Sequence, residues 1–414
     1  MKIKYIDLFA GCGGLSDGFL QSELYQEVGA VEWLKPQVET LRNRLSKRWG
    51  VENVEKKVLH FDIQREEELF QGWSEDKEFG NGIGLDKLVE EANGIDLVIG
   101  GPPCQAYSLA GRVRDKNGMV NDYRNYLFEH YLNVVSRYQP KLFVFENVPG
   151  MLSAKPGNGE VLVTDLVRQS FADIGYEIID DLRVALSNAS DYGVPQNRKR
   201  IIILGIRKNL FNDEEKIQNY LLGFYKDILE KYQVDELVTV EEAIGDLQKF
   251  EPIESDIKKK IAYKSIPNSG LEASWHRPRY HSERDKGIFR LLANDIEVGN
   301  YEYTDSKRLS DLYEEIVGSK SPIHRYHVLR KSLPGTTIIA HLYKDGNRFI
   351  HYDSSQSRTI TPREAARIQS FDDDFEFIGS QGAVYQMIGN AVPPKLGKTI
   401  ALAVNDFIKM LNII

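Results

Sequence analysis

The chain has 414 residues, 42% hydrophobic and 28% charged, with a formal net charge of −8. That is globular composition, with length for two or three domains or one large core carrying an inserted module. Only two cysteines are present, which excludes a disulfide framework and a cysteine-rich zinc site, so no metal is expected. No apolar run approaches the roughly 20 residues of a membrane span. The opening MKIKYIDLFAG is interrupted at Asp7 and does not read as a signal peptide, so a cytoplasmic protein is expected. An acidic total argues against a nucleic-acid partner, but binding follows local patches rather than the sum.

The first predicted strand, residues 4–9, runs into Phe9-Ala10-Gly11-Cys12-Gly13-Gly14-Leu15. Glycines here let the backbone approach a ligand and turn sharply into a helix. A second strand, 27–31, ends at Glu32, and after a helix over 36–49 a third strand, 57–61, ends at Asp62. One glycine loop and two acids at strand ends form a nucleoside-cofactor site at the carboxyl edge of a sheet. The plainer reading of the loop is a tight turn. Gly-Cys-Gly-Gly is not G-x-G-x-x-G, which favours a single nucleoside over a dinucleotide and its pyrophosphate. Cys12 reads as a small residue packed near the cofactor.

A fourth strand, 95–99, leads into GGPPCQAYS. Pro102 and Pro103 fix their own φ and hold the Cys104 thiol at a set place. The loop continues through Arg112, Arg114 and Lys116, between Gly111 and Gly118 as hinges. A helix follows over 123–138 with Asp122 as N-cap. The fifth strand, 142–145, ends at Glu146-Asn147-Val148-Pro149. Further strands are predicted at 176–185 and 200–206, the last entered through Gln196-Asn197-Arg198-Lys199-Arg200. Strand–helix alternation of this kind predicts a doubly wound parallel sheet. Taken singly, Cys104 is a buried small residue, Glu146 a solvated strand terminus and the arginines a basic surface turn. Together they put a thiol, a carboxyl and a guanidinium beside a nucleoside, the set needed for covalent catalysis on a substrate that must be protonated.

From about 208 to 357 the alternation is lost. The segment carries two basic aromatic stretches, WHRPRYH with Arg277 and Arg279, and HRYHVLRK with Arg325. Their plain reading is a solvated face. Order returns at TPREAARIQSF, where Thr361, Pro362 and Glu364 form a capping-box start.

In order along the chain, IDLFAGCGGL, GPPCQAYS, ENVPGML, VPQNRKR, RTITPREAARIQSF and YQMIGNAVPP resemble the sequence blocks of C5-cytosine DNA methyltransferases of the bacterial restriction–modification type. The resemblance covers residues 1–207 and 358–414, and six blocks in one order are far more specific than any one of them. It implies a Rossmann-like, doubly wound α/β sheet that uses S-adenosylmethionine and yields S-adenosylhomocysteine. It also implies a catalytic domain over 1–207 and 381–414, and an inserted irregular target-recognition domain with a return segment over 208–380.

Residue by residue, the resemblance assigns Cys104 as the nucleophile that adds to cytosine C6, and Glu146 as the acid at N3. Arg198 and Arg200 would support the base and the phosphate loop. Phe9, Gly11, Cys12, Gly13, Gly14, Leu15, Glu32, Trp33, Asp62, Ile63, Pro102, Asn390 and Val392 would surround the cofactor, with Glu32 on the ribose hydroxyls, Trp33 near the adenine and Asp62 on its amino group. Gln105, Ser108, Arg112, Arg114, Arg277, Arg279, Arg325 and Thr337 would contact DNA. Leu333-Pro334-Gly335-Thr336-Thr337-Ile338 would enter near the extruded base, or would be a plain hairpin.

The partners implied are double-stranded DNA and a restriction endonuclease encoded nearby, with the enzyme itself a monomer. Three rivals stand beside this reading. A tRNA C5-methyltransferase would carry a Cys-Phe-Thr element, and this chain has no third cysteine. A silent DNA binder would have lost Cys104 or Glu146, and both are present. A nicotinamide dehydrogenase would carry G-x-G-x-x-G.

Overall fold

The computed structural model describes residues 2–102, 127–155, 161–211, 213–318, 326–344 and 346–414. The chain folds as two compact units, one of Met1–Tyr192, Lys199–Asp235 and Ala391–Ile414, the other of Gly193–Arg198 and Glu236–Asn390. The first unit thus continues past 207, where the sequence put the boundary, because helix α6 (Glu214–Gly223) packs back on the strand Tyr176–Ile178.

The first unit is built on one eight-stranded sheet. Its strands are β1 (Ile3–Leu8), β2 (Tyr25–Glu32), β3 (Val58–His60), β4 (Leu97–Gly100), β5 (Leu142–Asn147), β6 (Tyr176–Ile178), β7 (Leu186–Asn188) and β8 (Lys199–Arg207). The order is β3-β2-β1-β4-β5-β8-β6, with β7 pairing β8. The first five are parallel to one another, as the alternation predicts. Their near-continuous apolar runs suit strands covered on both faces. The covering helices are α1 (Gly14–Gln21), α2 (Lys35–Trp49), α3 (Gly84–Glu91), α4 (Leu127–Tyr138) and α5 (Val163–Asp173). The predicted cap Asp122 lies outside the described residues.

The sheet is mixed rather than wholly parallel, since β8 runs antiparallel to both β5 and β6. A parallel return needs a crossover, usually a helix. Between β6 and β8 the chain offers no α-helix, only β7, the single turn Ala189–Tyr192 and the two-residue strand Gln196–Asn197. The predicted strand 176–185 stops at Ile178 for a related reason. Asp181 Oδ1 accepts the Arg183 N–H at 3.0 Å, and the Val184 N–H reaches the Asp181 carbonyl at 3.0 Å, which bends the backbone into a turn.

The second unit is less irregular than its sequence suggests. Helices α7 (Glu283–Glu297) and α8 (Ser306–Val317) begin at Ser282 and Asp305, whose side chains accept N–H bonds from Asp285 and from Lys307 and Arg308. They pack Ile288, Phe289, Leu292, Leu309 and Leu312 with Val328 and Ile350 into one buried cluster. Helix α9 (Pro362–Ile368) carries the predicted capping box, Thr361 and Glu364 each bonding the other's backbone N–H. Helix α10 (Gln381–Asn390) follows.

The chain then re-enters the first unit as α11 (Pro394–Leu411), which packs on α1. A Cβ on Gly18 would lie 2.4 Å from the Pro394 carbonyl oxygen and 2.6 Å from the Lys398 nitrogen, so these helices meet backbone to backbone. Overpacking there costs about 1–3 kcal/mol. Gly18→Ala should therefore lower the thermal midpoint by several degrees, at roughly 2–4 °C per kcal/mol for a unit this size. An unchanged melting curve would show that α1 and α11 can part without cost.

Candidate active site

The register of the parallel strands sets the site. Leu8 pairs with Val31 on one side and Gly100 on the other. Glu32 pairs with His60, and Gly100 with Phe145. Phe9, Glu32, Trp33, Asp62, Gly101 and Glu146 therefore leave the sheet within about two residues of one line, at its carboxyl edge.

At this edge the glycine loop is wound tightly. Phe9, Gly11 and Gly13 have φ of 56°, 57° and 89°. A side chain is rarely held in that region, and at Phe9 it marks strain of the kind found at ligand sites. The Glu32 carboxylate fastens the loop, accepting the Gly11 N–H at 2.9 Å and the Leu34 N–H at 2.8 Å. Burial raises the Glu32 pKa, and these backbone donors oppose the rise. Gly13, Gly14 and Leu15 are buried at the start of α1. Cys12 is only 1% exposed and burial pushes its thiol up, which suits a packed residue and not a thiolate. Trp33 is 47% exposed, its carbonyl 2.9 Å from His60 Nε2. Asp62 Oδ1 accepts the Gln64 N–H at 3.0 Å, while Ile63 and Pro102 are buried.

On the next strand end, Glu146 Oε1 lies 2.7 Å from Arg200 Nε, with both side chains 13% exposed. The antiparallel β8 makes this pair. Ile202 stands opposite Glu146, so Arg200, two residues before Ile202 and on the same face, reaches it diagonally. Gly101 lies against the carboxylate, since a Cβ there would fall 2.5 Å from Glu146 Oε2. The described chain reaches Pro102, two residues short of Cys104. Cys104, Gln105, Ser108, Arg112 and Arg114 lie outside the described residues, as does Arg325.

The family model for C-5 cytosine-specific DNA methylases matches residues 3–406. The chain belongs to this family. It is 32% identical to the type II methyltransferase M.Bpa9945I of Bacillus paralicheniformis, over 97% of this chain and 98% of that one. It is 30% identical to the type II methyltransferase M.DdeI of Desulfomicrobium norvegicum, over 100% of this chain and 91% of the other. Its fold matches the crystal structure of a proposed DNA modification methyltransferase encoded within a prophage (E. coli) with a TM-score of 0.62 and 21% identity, over 99% and 100% of the two chains. The protein is a DNA (cytosine-5-)-methyltransferase with a Rossmann-like sheet, as the sequence blocks imply. No described helix is long and apolar enough to cross a membrane.

The two arginines of the methyltransferase's VPQNRKR block have different surroundings. Arg200 touches the acid. Arg198, 1% exposed, belongs to the second unit and donates to the carbonyls of Ile338 at 2.7 Å and Gly389 at 3.0 Å. Beside it, Gln196 and Asn197 pair in parallel with Gly335 and Thr336, so the Pro-Gly turn is not a hairpin. The Thr337 hydroxyl donates to the Asn197 carbonyl at 2.6 Å. Gln196 Oε1 accepts the Ile338 N–H at 2.7 Å, and its amide donates to Gln369, whose own amide reaches the Ile388 carbonyl. Asn390 is exposed at the end of α10, and Val392 is buried in the first unit.

In WHRPRYH only Arg277 is fully outward. Arg279 has its guanidinium 4.4 Å from the Tyr385 ring centroid and donates to the carbonyls of Leu342 at 3.0 Å and Tyr343 at 3.2 Å. His276 and His281 are buried on the hydroxyls of Thr361 and Thr359. A cavity of about 650 Å³ in the second unit is lined by Lys249, Tyr301, Arg330, Lys331 and Tyr352 among others. Arg330 and Lys331 belong to the basic HRYHVLRK stretch, while none of Arg277, Arg279 and Thr337 lines the cavity.

Sequence reasoning missed the buried charges of this unit. Arg358 and Glu364, each 1% exposed, form a two-pronged pair at 2.6 Å, with His351 beside it. Arg358 holds the Glu364 carboxyl well below the usual range. Removing one partner of such a pair costs about 3–5 kcal/mol, so Glu364→Gln should unfold the second unit at clearly lower denaturant.

Burial, with Arg279 next, pushes His281 down to about 3, and burial lowers His276 and His351 too. His281 is therefore neutral in the fold, so its stabilisation is complete above about pH 6.5 and is lost as pH falls toward 3, by up to ~1.4 kcal/mol per pH unit, and the other two act in the same direction. Denaturant titrations across that window should show the decline, and His281→Gln should make it shallower. A decline that His281→Gln leaves unaltered would mean that this ring does not drive it.

Proposed function

We propose that the first unit binds S-adenosylmethionine at the carboxyl edge of β1–β3 and methylates C5 of a cytosine extruded from duplex DNA within a short target sequence. The second unit carries the target recognition. The edge fits the group. Glu32, fastened by two N–H donors, keeps acceptor capacity for ribose hydroxyls, exposed Trp33 offers a face for adenine, and no atom lies within 4 Å of a Cβ built on Gly11. When bound, the cofactor supplies an electrophilic methyl group on a sulfonium sulfur.

The chain's own residues supply the rest. Cys104, as thiolate, adds to cytosine C6 and makes C5 electron-rich, and Glu146 holds the proton at N3 so that charge does not accumulate on the ring. Arg200 fixes the carboxyl from one side and Gly101 leaves it room on the other. Loss of the C5 proton and then of the thiol restores aromaticity. Extrusion of the base costs a few kcal/mol, which contacts in the pocket offset. Arg112 and Arg114 clamp the extruded nucleotide's backbone, Gln105 and Ser108 line its path, and Arg277, Arg325 and Thr337 face the duplex. Arg279, fixed on internal carbonyls, supports that surface rather than reading it. The type II relatives suggest protection of host DNA against a cognate restriction enzyme. The enzyme acts as a monomer in the cytoplasm.

The observation that carries this reading is the Glu146–Arg200 pair at 2.7 Å, on the strand end beside the Gly101-Pro102 lead-in to Cys104. Duplex DNA containing 5-fluorocytosine tests it, because fluorine cannot leave as a proton does. With S-adenosylmethionine, a covalent band should appear on a denaturing gel and vanish in Cys104→Ser. Glu146→Gln should cut turnover by about 10²–10⁴-fold with DNA still bound. A band on tRNA and none on duplexes of varied sequence would overturn the DNA assignment. Arg277→Ala should weaken DNA binding more than Arg279→Lys does; the reverse order would move the reading surface.

A further inference from the structure

Beneath the glycine loop lies a cluster that the proposed chemistry does not use. Tyr5 and Asp7 on β1, Ser16 on α1 and Glu27 on β2 are at most 4% exposed. The Ser16 hydroxyl oxygen lies 2.7 Å from Asp7 Oδ2 and 2.7 Å from Glu27 Oε2. The Tyr5 hydroxyl oxygen lies 3.1 Å from the same Glu27 oxygen and 3.3 Å from Ser16 Oγ, and its one hydrogen goes to the carboxylate at the shorter distance. Among the described residues no cation pairs with either carboxyl, and Glu27 Oε1 has no hydrogen-bond partner. The other titratable groups acting on the cluster are Glu32, Lys57 and Tyr131. The nearby Asp17 is itself bound to Arg44 at 2.6 Å.

The hydrogens can be counted. Ser16 owns one. Two contacts of 2.7 Å to two carboxyls are both hydrogen bonds only if one carboxyl carries a proton of its own. Glu27 receives Tyr5 and Ser16 and sits in the field of Lys57, so it is the anion. Asp7 receives nothing else that would favour its charge, and Glu27 and Glu32 both oppose it. The chain of donors is then Asp7 Oδ2–H to Ser16 Oγ, Ser16 O–H to Glu27 Oε2, and Tyr5 O–H to Glu27 Oε2.

We propose that Asp7, Ser16 and Glu27 store one buried proton as positioning residues of the cofactor loop, so that cofactor affinity requires that proton. Asp7 lies two residues before Phe9 and Ser16 two after Gly14, so the relay ties together the two ends of the loop. Losing the proton leaves two anions facing one hydroxyl in a dry core, breaks one contact and lets α1 shift against β1. This inference rests on the reading that the loop holds S-adenosylmethionine. Burial, which raises both carboxyls, acts in the same direction. Because the folded state holds the extra proton, its contribution is present at low pH and is lost as pH rises through the folded value.

Infrared difference spectra and calorimetric titration with S-adenosylmethionine, both run on the full chain against pH, test the proposal. A protonated-carboxyl stretch should be present at neutral pH and absent in Asp7→Asn. Above the pH where that band titrates, wild-type affinity should fall, by at most about tenfold per pH unit. The fall should vanish in Asp7→Asn, whose amide donates to Ser16 without titrating. It should vanish too in Glu27→Gln, which removes the second anion and gives a usable protein should Asp7→Asn not fold. No carboxyl band in the wild type, or an undiminished alkaline fall in both variants, would overturn the proposal. A band with no cofactor binding at any pH would instead overturn the cofactor assignment.

Discussion

Everything at the candidate site depends on the in-register parallel pairing of five strands. A one-residue slip in a strand exchanges its two faces. Here the rungs Leu8–Val31, Leu8–Gly100, Glu32–His60 and Gly100–Phe145 bring five chain exits to one edge. Residues from five separated stretches thereby become neighbours with no long side chain reaching across. The glycine loop, Glu32 and Asp62 share this edge with Gly101 and Glu146, so the proposed cofactor site and the proposed acid lie on adjacent strand ends. Rigid strands, rather than loops, thus set the Glu146 carboxyl and Pro102, which suits chemistry that tolerates little misplacement.

The one departure from parallel pairing is also useful. A parallel β8 would have run the opposite way and carried its N-terminal arginines to the far edge. The antiparallel β8 instead begins at the carboxyl edge, so Arg200 meets Glu146 at once. A short connection without an α-helix therefore decides which residues the acid can touch.

Much of this was legible in sequence. The glycine loop and the acids at strand ends are local patterns, and local patterns survive being read one residue at a time. The capping box at Thr361 was legible because both partners lie within four residues. Three things were not. The direction of β8 depends on what its connection lacks. Helices α7 and α8 announce themselves at Ser282 and Asp305, but their apolar stripes face one another, and neither alone stands out amid polar neighbours. The two arginines of one block cannot be told apart by spacing, because Arg198 finds its partners 140 and 191 residues away.

That last case points to how the second unit is held. Arg198, Arg279 and Arg363 each direct a guanidinium at backbone carbonyls from separate places: Ile338 with Gly389, Leu342 with Tyr343, and Ser274 with Asp372 and Phe375. A guanidinium has five donors in a fixed plane, so it can bind two or three carbonyls at set angles, which an ammonium on a flexible stem cannot match. Such carbonyls have few other partners where regular secondary structure is sparse. A segment rich in turns, with its sheet reduced to two-residue and hairpin pairings, thus acquires internal connections that strands would otherwise supply. Basic residues in an irregular segment of a DNA-acting enzyme invite a reading as phosphate contacts. Arg198 and Arg279 show that the same residues can be the fasteners of the fold, leaving exposed Arg277 as the better candidate for contact with DNA.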